Sequence, residues 1–352
     1  MRKVYGPYDL SAQLDTTWEP GNAGGHHGRY LWTDAFGVIN FVTLSREKSS
    51  QGPEYLHLAR RLANTVHEVL GREREPPGSQ PRLPGATDEA PLRGGLRIGK
   101  LEASGPDGDG MYHHYLTLWM YALDVLARAT GEARWNVLAV QLAQATHPRF
   151  IVERHGRESM VWKISTDMRR VLVGSKGHLD DVTGFAVFRM LRDTARRFGV
   201  HGDDVLTSEI EQYARIMEHA DMSLSGDPLD LGMGLWVAHF DRDAAWSRKL
   251  SLQALEIAQE KFLATAAKPL TAASRLHRLT FREFGACLGI KCYEKGLKPL
   301  TDGVETVLDI WKDKMIEHDE DPDLRPINLV MYAAALIPGA FRKGYIESRT
   351  RS

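Results

Sequence analysis

The chain has 352 residues and a mass of 39.5 kDa, with 45 Lys plus Arg against 46 Asp plus Glu and 43% hydrophobic residues. That balance excludes a disordered chain and offers no basic surface to attract a nucleic acid. Two cysteines, Cys287 and Cys292, are too few for a disulfide-built scaffold or a four-thiolate zinc site, and they point to a reducing compartment.

The opening residues, MRKVYGPYDLSAQLD, lack the apolar core of a signal peptide. The longest apolar runs, around 233–240 and 329–338, are too short to span a bilayer. A cytoplasmic chain with no membrane association is therefore expected. Residues 1–28 read as an extended N-terminal segment, and 29–352 as one helical domain with loop insertions at about 72–110 and 148–177.

From residue 33 onward the helical patterns alternate between two kinds. DAFGVINFVTL (34–44) is apolar nearly all round, as are 111–126, 182–191, 229–240, 281–293 and 327–337. A helix without a polar face must be buried on most sides. Between them lie amphipathic stretches, beginning with PEYLHLARRLANTVHEVL (53–70), whose apolar residues Leu58, Leu62, Val66, Val69 and Leu70 share a face. The others are 132–147, 203–220, 243–262 and 302–316. Thr33, Asp109 and Thr280 suit N-terminal caps, Pro53 and Pro228 suit first turns, and Gly71, Gly131, Gly199 and Gly296 suit C-terminal caps. Residues 72–110 are rich in Gly and Pro and read as a mobile loop whose second half holds a short strand. FIVERHGRESMVWKI (150–164) reads as a β-hairpin turning at His155 and Gly156.

The apolar helices begin near 33, 111, 180, 228, 280 and 326, and the last three intervals are roughly fifty residues. Buried helices lining an inner ring, wrapped by amphipathic ones, satisfy this order. The alternation resembles the six-hairpin (α/α)6-toroid superfamily of glycoside hydrolases, polysaccharide lyases and sugar 2-epimerases. The resemblance is architectural and spans about residues 30–345. It implies an all-α toroid of five to six helical hairpins with a short β-hairpin and loop roof over the inner-helix N-termini. The tail after Ile337, GAFRKGYIESRTRS, barely supplies a sixth outer helix.

The chemistry-bearing clusters fall at the inner-helix starts: GRYLWTDAF (28–36), DGDGMYHHY (107–115), KGHLDDVTGF (176–185), GDPLDLGMGLW (226–236), LTFREFG (279–285) and LRPINL (324–329). Each acid there is also a candidate helix cap, stabilised by free backbone N–H groups and the helix dipole. Capping does not account for the accompanying Tyr and Trp, whereas a sugar uses both: aromatic faces pack on its rings and carboxylates handle its hydroxyls and protons. Glycoside hydrolysis needs one protonated and one ionised carboxyl flanking the bond. Asp34 and Asp181 form the preferred pair, with Asp230 and Glu283 in reserve. Tyr30, Trp32, Tyr112, His113, His114, Trp162 and Trp236 are the expected sugar contacts. Arg169 and Arg282, on the roof and rim, suit a uronate carboxylate or phosphate, or are simply solvated loop charges.

The rival chemistry is that of a sugar epimerase or isomerase, in which His178 opposes His114 or His239. A third reading is a non-catalytic helical scaffold that binds a partner in its concave mouth. DGDG (107–110) lacks the Glu an EF-hand needs at its twelfth position, which is Leu118. SREK (45–48) has no companion motif. No Walker A, G-x-S-x-G, G-x-G-x-x-G or H-E-x-x-H pattern occurs. Cys287 and Cys292 read as buried apolar residues, not as the zinc ligands of a lanthionine cyclase toroid, and the absence of D-x-D-D disfavours a terpene cyclase. His26 and His27, in a Gly-rich segment, are disfavoured as metal contacts. The expected partner is a small carbohydrate, with no metal, cofactor or nucleic acid, and self-association is left open.

Overall fold

The computed structural model describes residues 1–10, 18–21, 29–74, 80–105, 107–220, 223–268, 278–293, 297–313 and 323–348. His26, His27 and Gly296 lie outside these residues. The chain separates into two compact units, one holding Arg2 and Val4–Ala220, the other holding Asp221–Ser352 with Met1 and Lys3.

The first unit contains the short helix α1 (Arg2–Tyr5) and three helical hairpins: α2 (Leu31–Glu47) with α3 (Gly52–Leu70), α4 (His113–Thr130) with α5 (Ala133–Phe150), and α6 (Asp180–Phe198) with α7 (Thr207–His219). Helix α2 is buried along almost its whole length, which is what an apolar sequence without a polar face demands. Helix α3 buries the stripe Leu58, Leu62 and Val66. Helix α2 packs on α3 and α4, α4 on α5 and α6, and α6 on α7. Gly131 and Gly199 end α4 and α6 in the left-handed conformation that favours glycine.

Two small antiparallel sheets sit among these hairpins. Strands β2 (Ile151–Arg154) and β3 (Arg157–Met160) form the expected hairpin, with His155 at φ 51° and Gly156 at φ 71° supplying the two positive values of a tight turn. Strand β1 (Met111–Tyr112) pairs with β4 (Lys163–Ile164), and β4 pairs with β5 (Val171–Val173). The strand expected in the second half of 72–110 is not formed there. Residues 95–100 are irregular and buried, and the strand lies at Met111–Tyr112. The N-terminal segment is not wholly extended: α1 buries Tyr5, whose hydroxyl donates to the Thr33 carbonyl at 3.2 Å.

The second unit has the apolar helices α8 (Pro228–Ala238), α11 (Thr280–Tyr293) and α13 (Arg325–Leu336) and the amphipathic α12 (Lys298–Lys312). Helix α9 (Ala245–Ile257) runs through a π turn at Ala258–Phe262 into α10 (Leu263–Ala266). After α13, the described residues form only a 3-10 turn at Gly339–Phe341, so the sixth outer helix is missing among them. Helices α8 and α11 pack backbone to backbone. A Cβ at Gly232 would run into the Gly285 carbonyl, and one at Gly289 into the Gly232 carbonyl. Among the described residues, no helix is long and apolar enough to cross a membrane.

The glycine contact predicts that Gly232→Ala destabilises the protein by roughly 2–3 kcal/mol in urea unfolding, because backbone cannot swing aside as a side chain can. A change near zero would mean that the helices slide apart freely. A second expectation comes from His67, buried in the first unit, whose Nε2 accepts the Trp119 indole N–H at 3.1 Å. Burial pushes its pKa down to about 3, below the ordinary value near 6.5. Between those values the unfolded chain holds a proton that the folded chain refuses, so stability is full above about pH 6.5 and falls as pH drops toward 3. The melting temperature should decline over that window, and His67→Gln should shallow the slope.

Candidate active site

In the first unit the starts of α2, α4 and α6 come together. The Trp32 ring, in the first turn of α2, lies 5.9 Å from His114 and 5.4 Å from Tyr115, in the first turn of α4. Tyr112 stacks on His114 at 5.6 Å and meets Trp162 edge-on at 4.8 Å. The result is one wall of rings in which His114, Tyr115 and Trp162 keep part of their surface open to solvent. Trp162 is fixed by its N–H to Ser175 Oγ at 3.1 Å. The Trp32 indole N–H is buried and has no acceptor among the described residues. Lys163, buried on β4, donates to the Gly108 carbonyl at 2.8 Å, and its ammonium lies 5.3 Å from the Tyr112 ring centroid.

Against this wall sits the first turn of α6. The Asp180 carboxylate lies 3.4 Å from His113 Nδ1 and 3.7 Å from His114 Nδ1, and it accepts the Gly177 N–H at 3.1 Å. Burial alone would raise its pKa, but the two imidazoles and the backbone donor outweigh burial and hold the carboxyl below the ordinary range. His113 is held from its other side, its Nε2 2.8 Å from the Tyr213 hydroxyl on α7. Tyr213 reaches that position because residue 184 is glycine; a Cβ there would strike its ring. Asp181 accepts from Lys176 Nζ at 2.7 Å and from the Val182 N–H at 2.8 Å, and it is fully buried. His178 is exposed on the loop before α6.

The other expected residues go elsewhere. Asp34 is sealed from solvent in a pair with Arg29, whose Nε and Nη2 both donate to it at 3.1 Å. Burial raises its pKa despite that pairing and despite a hydrogen bond from Tyr5. Thr33 is the third residue of α2, not its cap, and the cap position, Tyr30, makes no side-chain cap bond and is half-buried. Asp109 caps no helix: it accepts N–H groups from Gly99 and Gly110 and pairs with Arg74 and Arg97. Arg169 lies on the turn between β4 and β5 and lines a different cavity.

In the second unit, Glu283 is clasped by Arg278 at 2.6 Å and receives the Trp311 indole N–H at 2.9 Å. Asp227 caps α8 through the Leu229 N–H and pairs with Arg282. Asp230 accepts the Ser225 hydroxyl. Trp236 is fully buried, its indole donating to the Phe341 carbonyl at 3.2 Å, so it belongs to that unit's core and not to an open wall. His239 is buried too; desolvation brings its pKa down to about 4. Cys287 and Cys292 are free and buried, and burial pushes the Cys292 thiol up to about 12.

Sequence reasoning missed Tyr213. Its one trace is a place in the apolar stripe of α7 with Ile210, Ile216 and Met217, and that stripe carries no link to a histidine a hundred residues earlier.

No protein-family model and no curated protein matches the sequence. Two solved structures match in fold. One is a family 76 glycoside hydrolase from a bovine Bacteroides thetaiotaomicron strain, at 14% identity and TM-score 0.51, covering 95% of this chain and 74% of that one. The other is a family 76 glycoside hydrolase described as a mannosidase, from Bacteroides thetaiotaomicron VPI-5482, at 13% identity and TM-score 0.51, covering 94% of this chain and 90% of that one. The chain accordingly shares the fold of these glycoside hydrolases, mostly helical with small antiparallel sheets, in keeping with the five to six helical hairpins expected from its sequence.

The Tyr213–His113–Asp180 chain gives a direct expectation. Tyr213→Phe leaves a buried imidazole nitrogen without its partner and should cost roughly 1–2 kcal/mol in urea unfolding. Tyr112→Phe removes a hydroxyl that makes no hydrogen bond among the described residues and should cost under about 1 kcal/mol. Equal losses in the two variants would contradict this assignment of partners.

Proposed function

We propose that the chain is a glycoside hydrolase that cleaves an oligosaccharide against the ring wall of the first unit, with Asp180 and Asp181 as its carboxyls. The observation that carries this reading is the buried Asp180 carboxyl facing that wall, held below the ordinary carboxyl range by its imidazole and backbone neighbours. An ionised carboxylate beside a sugar-sized aromatic surface is suited to stabilise the positive charge that develops on the sugar as its glycosidic bond breaks. His114, Tyr115 and Trp162 offer the faces on which sugar rings pack.

Consecutive residues on a helix point about 100° apart. Asp180 turns to the imidazoles and Asp181 to Lys176, so the two carboxyls diverge from one helical turn. In this reading Asp181, once the Lys176 ammonium swings into solvent and the carboxylate has taken a proton from water, protonates the leaving oxygen. Water then adds to the sugar carbon, and its proton returns to the carboxylate. Asp34, preferred on sequence grounds, is a poorer choice because its partner Arg29 is itself buried and donates to both carboxyl oxygens, whereas Lys176, the partner of the equally buried Asp181, is partly exposed. The likeness to family 76 structures, one of them a mannosidase, makes manno-oligosaccharides the first substrates to assay.

Asp180→Asn and Asp181→Asn should each lower hydrolysis on the order of 10²–10⁴-fold at a temperature where circular dichroism shows the variant still folded. Wild-type rates in both variants would remove the carboxylate assignment. Deuterium entering a recovered sugar at carbon two, with no bond cleavage, would instead support proton transfer by His114, the histidine that is both beside Asp180 and open to solvent.

A further inference from the structure

A second concave surface lies in the first unit, away from the ring wall. It is a cavity of about 520 Å³, within the usual range for small-molecule clefts. Three chain segments build it. Helix α5 contributes Gln141, Gln144, Pro148 and Arg149, spaced so that they share one helical face. The loop before β1 contributes Arg93, and the turn between β4 and β5 contributes Asp167, Met168 and Arg169.

The chemistry of the lining is one-sided. Arg93, Arg149 and Arg169 all line the cavity, and their guanidinium groups have neither an ion pair nor a hydrogen bond among the described residues. Elsewhere in this unit arginines are put to use: Arg29 holds Asp34, Arg97 holds Asp109, Arg128 holds Asp124 and Arg60 holds Glu132. Arg93, Arg149 and Arg169 are exposed, and beyond the pull of Arg169 on Asp167 their charge is unspent, so the cavity gathers three guanidiniums with capacity for an oxyanion.

The single acid on the lining, Asp167, is already engaged, accepting the Ser165 hydroxyl and the Arg169 N–H. The Ser165 bond is the main cause holding its carboxyl below the ordinary range. The same bonds, with the Arg170 N–H to Ser165 Oγ at 3.0 Å, brace a turn in which Met168 adopts φ 58°, a left-handed value uncommon for a side-chain-bearing residue. The turn that carries Arg169 is thus a built element.

Gln141 accepts the Leu92 N–H at 2.7 Å through its oxygen, which leaves its amide N–H groups to the cavity. Pro148 has no N–H to give the Gln144 carbonyl, so that acceptor is also available.

We propose that this cavity is a binding site for an acidic saccharide, one bearing carboxylate or phosphate groups that the three arginines grip while the two glutamines meet its hydroxyls. Planar guanidinium forks pair with either oxyanion in two parallel hydrogen bonds. The site is independent of the hydrolase reading: its residues are not those placed at the ring wall, and it would bind whether or not Asp180 is catalytic.

Titration calorimetry on the full chain tests it, with digalacturonate, glucose 6-phosphate and neutral cellobiose as probes. At least one charged probe should bind with Kd on the order of a millimolar or tighter, and cellobiose at least about tenfold more weakly. The stronger charged probe identifies the preferred oxyanion. Arg93→Gln, Arg149→Gln and Arg169→Gln combined should weaken binding about tenfold or more, and Arg149→Gln alone provides a milder check should the triple variant lose stability. Asp180→Asn should bind as wild type does, which separates this result from failure of the hydrolase reading. Arg157→Gln, on the exposed strand β3, should change nothing. The proposal is overturned if neither charged probe binds, if the arginine variants bind as wild type does, or if Arg157→Gln weakens binding equally, since that would mark a diffuse field and not a site.

Discussion

A carboxylate taken out of water must be compensated on the spot, and Asp180 is where the first unit meets that demand. The available compensation is two imidazoles from α4 and one backbone N–H from its own loop. Meeting it forces the first turn of α4 against the first turn of α6 and fixes the face His114 presents. Tyr112, Trp32 and Trp162 then assemble around that histidine. Tyr213 and the glycine at 184 belong to the same constraint, one holding His113 and the other leaving room for the holder. The ring wall is in this sense a consequence of one buried charge.

The other acids at helix starts show the same residue type put to different use. Glu283 is enclosed by Arg278 and Trp311, and Asp34 by Arg29. Closed pairs of this kind contribute little net stability, because the loss of hydration offsets most of the attraction, but breaking one strands a charge at a cost of about 3–5 kcal/mol. They fix which way a helix enters the core. Asp180 differs in facing two imidazoles and no guanidinium.

Much of the architecture was legible in the sequence because burial leaves a periodic trace. Apart from the short helices at Arg2–Tyr5 and Leu263–Ala266, the described helices overlap their apolar or amphipathic stretches, and His155–Gly156 marked its hairpin through the backbone geometry such a turn requires. The fate of individual acids was not legible. It depended on partners that hydrophobic periodicity does not reveal: Arg29 for Asp34, Arg278 for Glu283, and Tyr213 acting through His113 for Asp180. Trp236 shows the converse error. Grouped with a helix start, it resembled a sugar platform, yet it lies two turns in, near the end of α8, and its indole hydrogen is satisfied inside the core by Phe341. Asp109 resembled a cap and instead gathers a loop, because its backbone partners, Gly99 and Gly110, lie on both sides of an irregular segment.

Strand β4 has two residues, Lys163 and Ile164. One end carries the ammonium that rests over Tyr112, and the other runs directly into the braced turn bearing Asp167 and Arg169. The two concave surfaces of this unit are therefore joined by a ribbon too short to absorb slack. Inserting or deleting a single amino acid in that ribbon would drag the aromatic platform and the arginine basin together, so the lineage that keeps one is obliged to keep the spacing of the other.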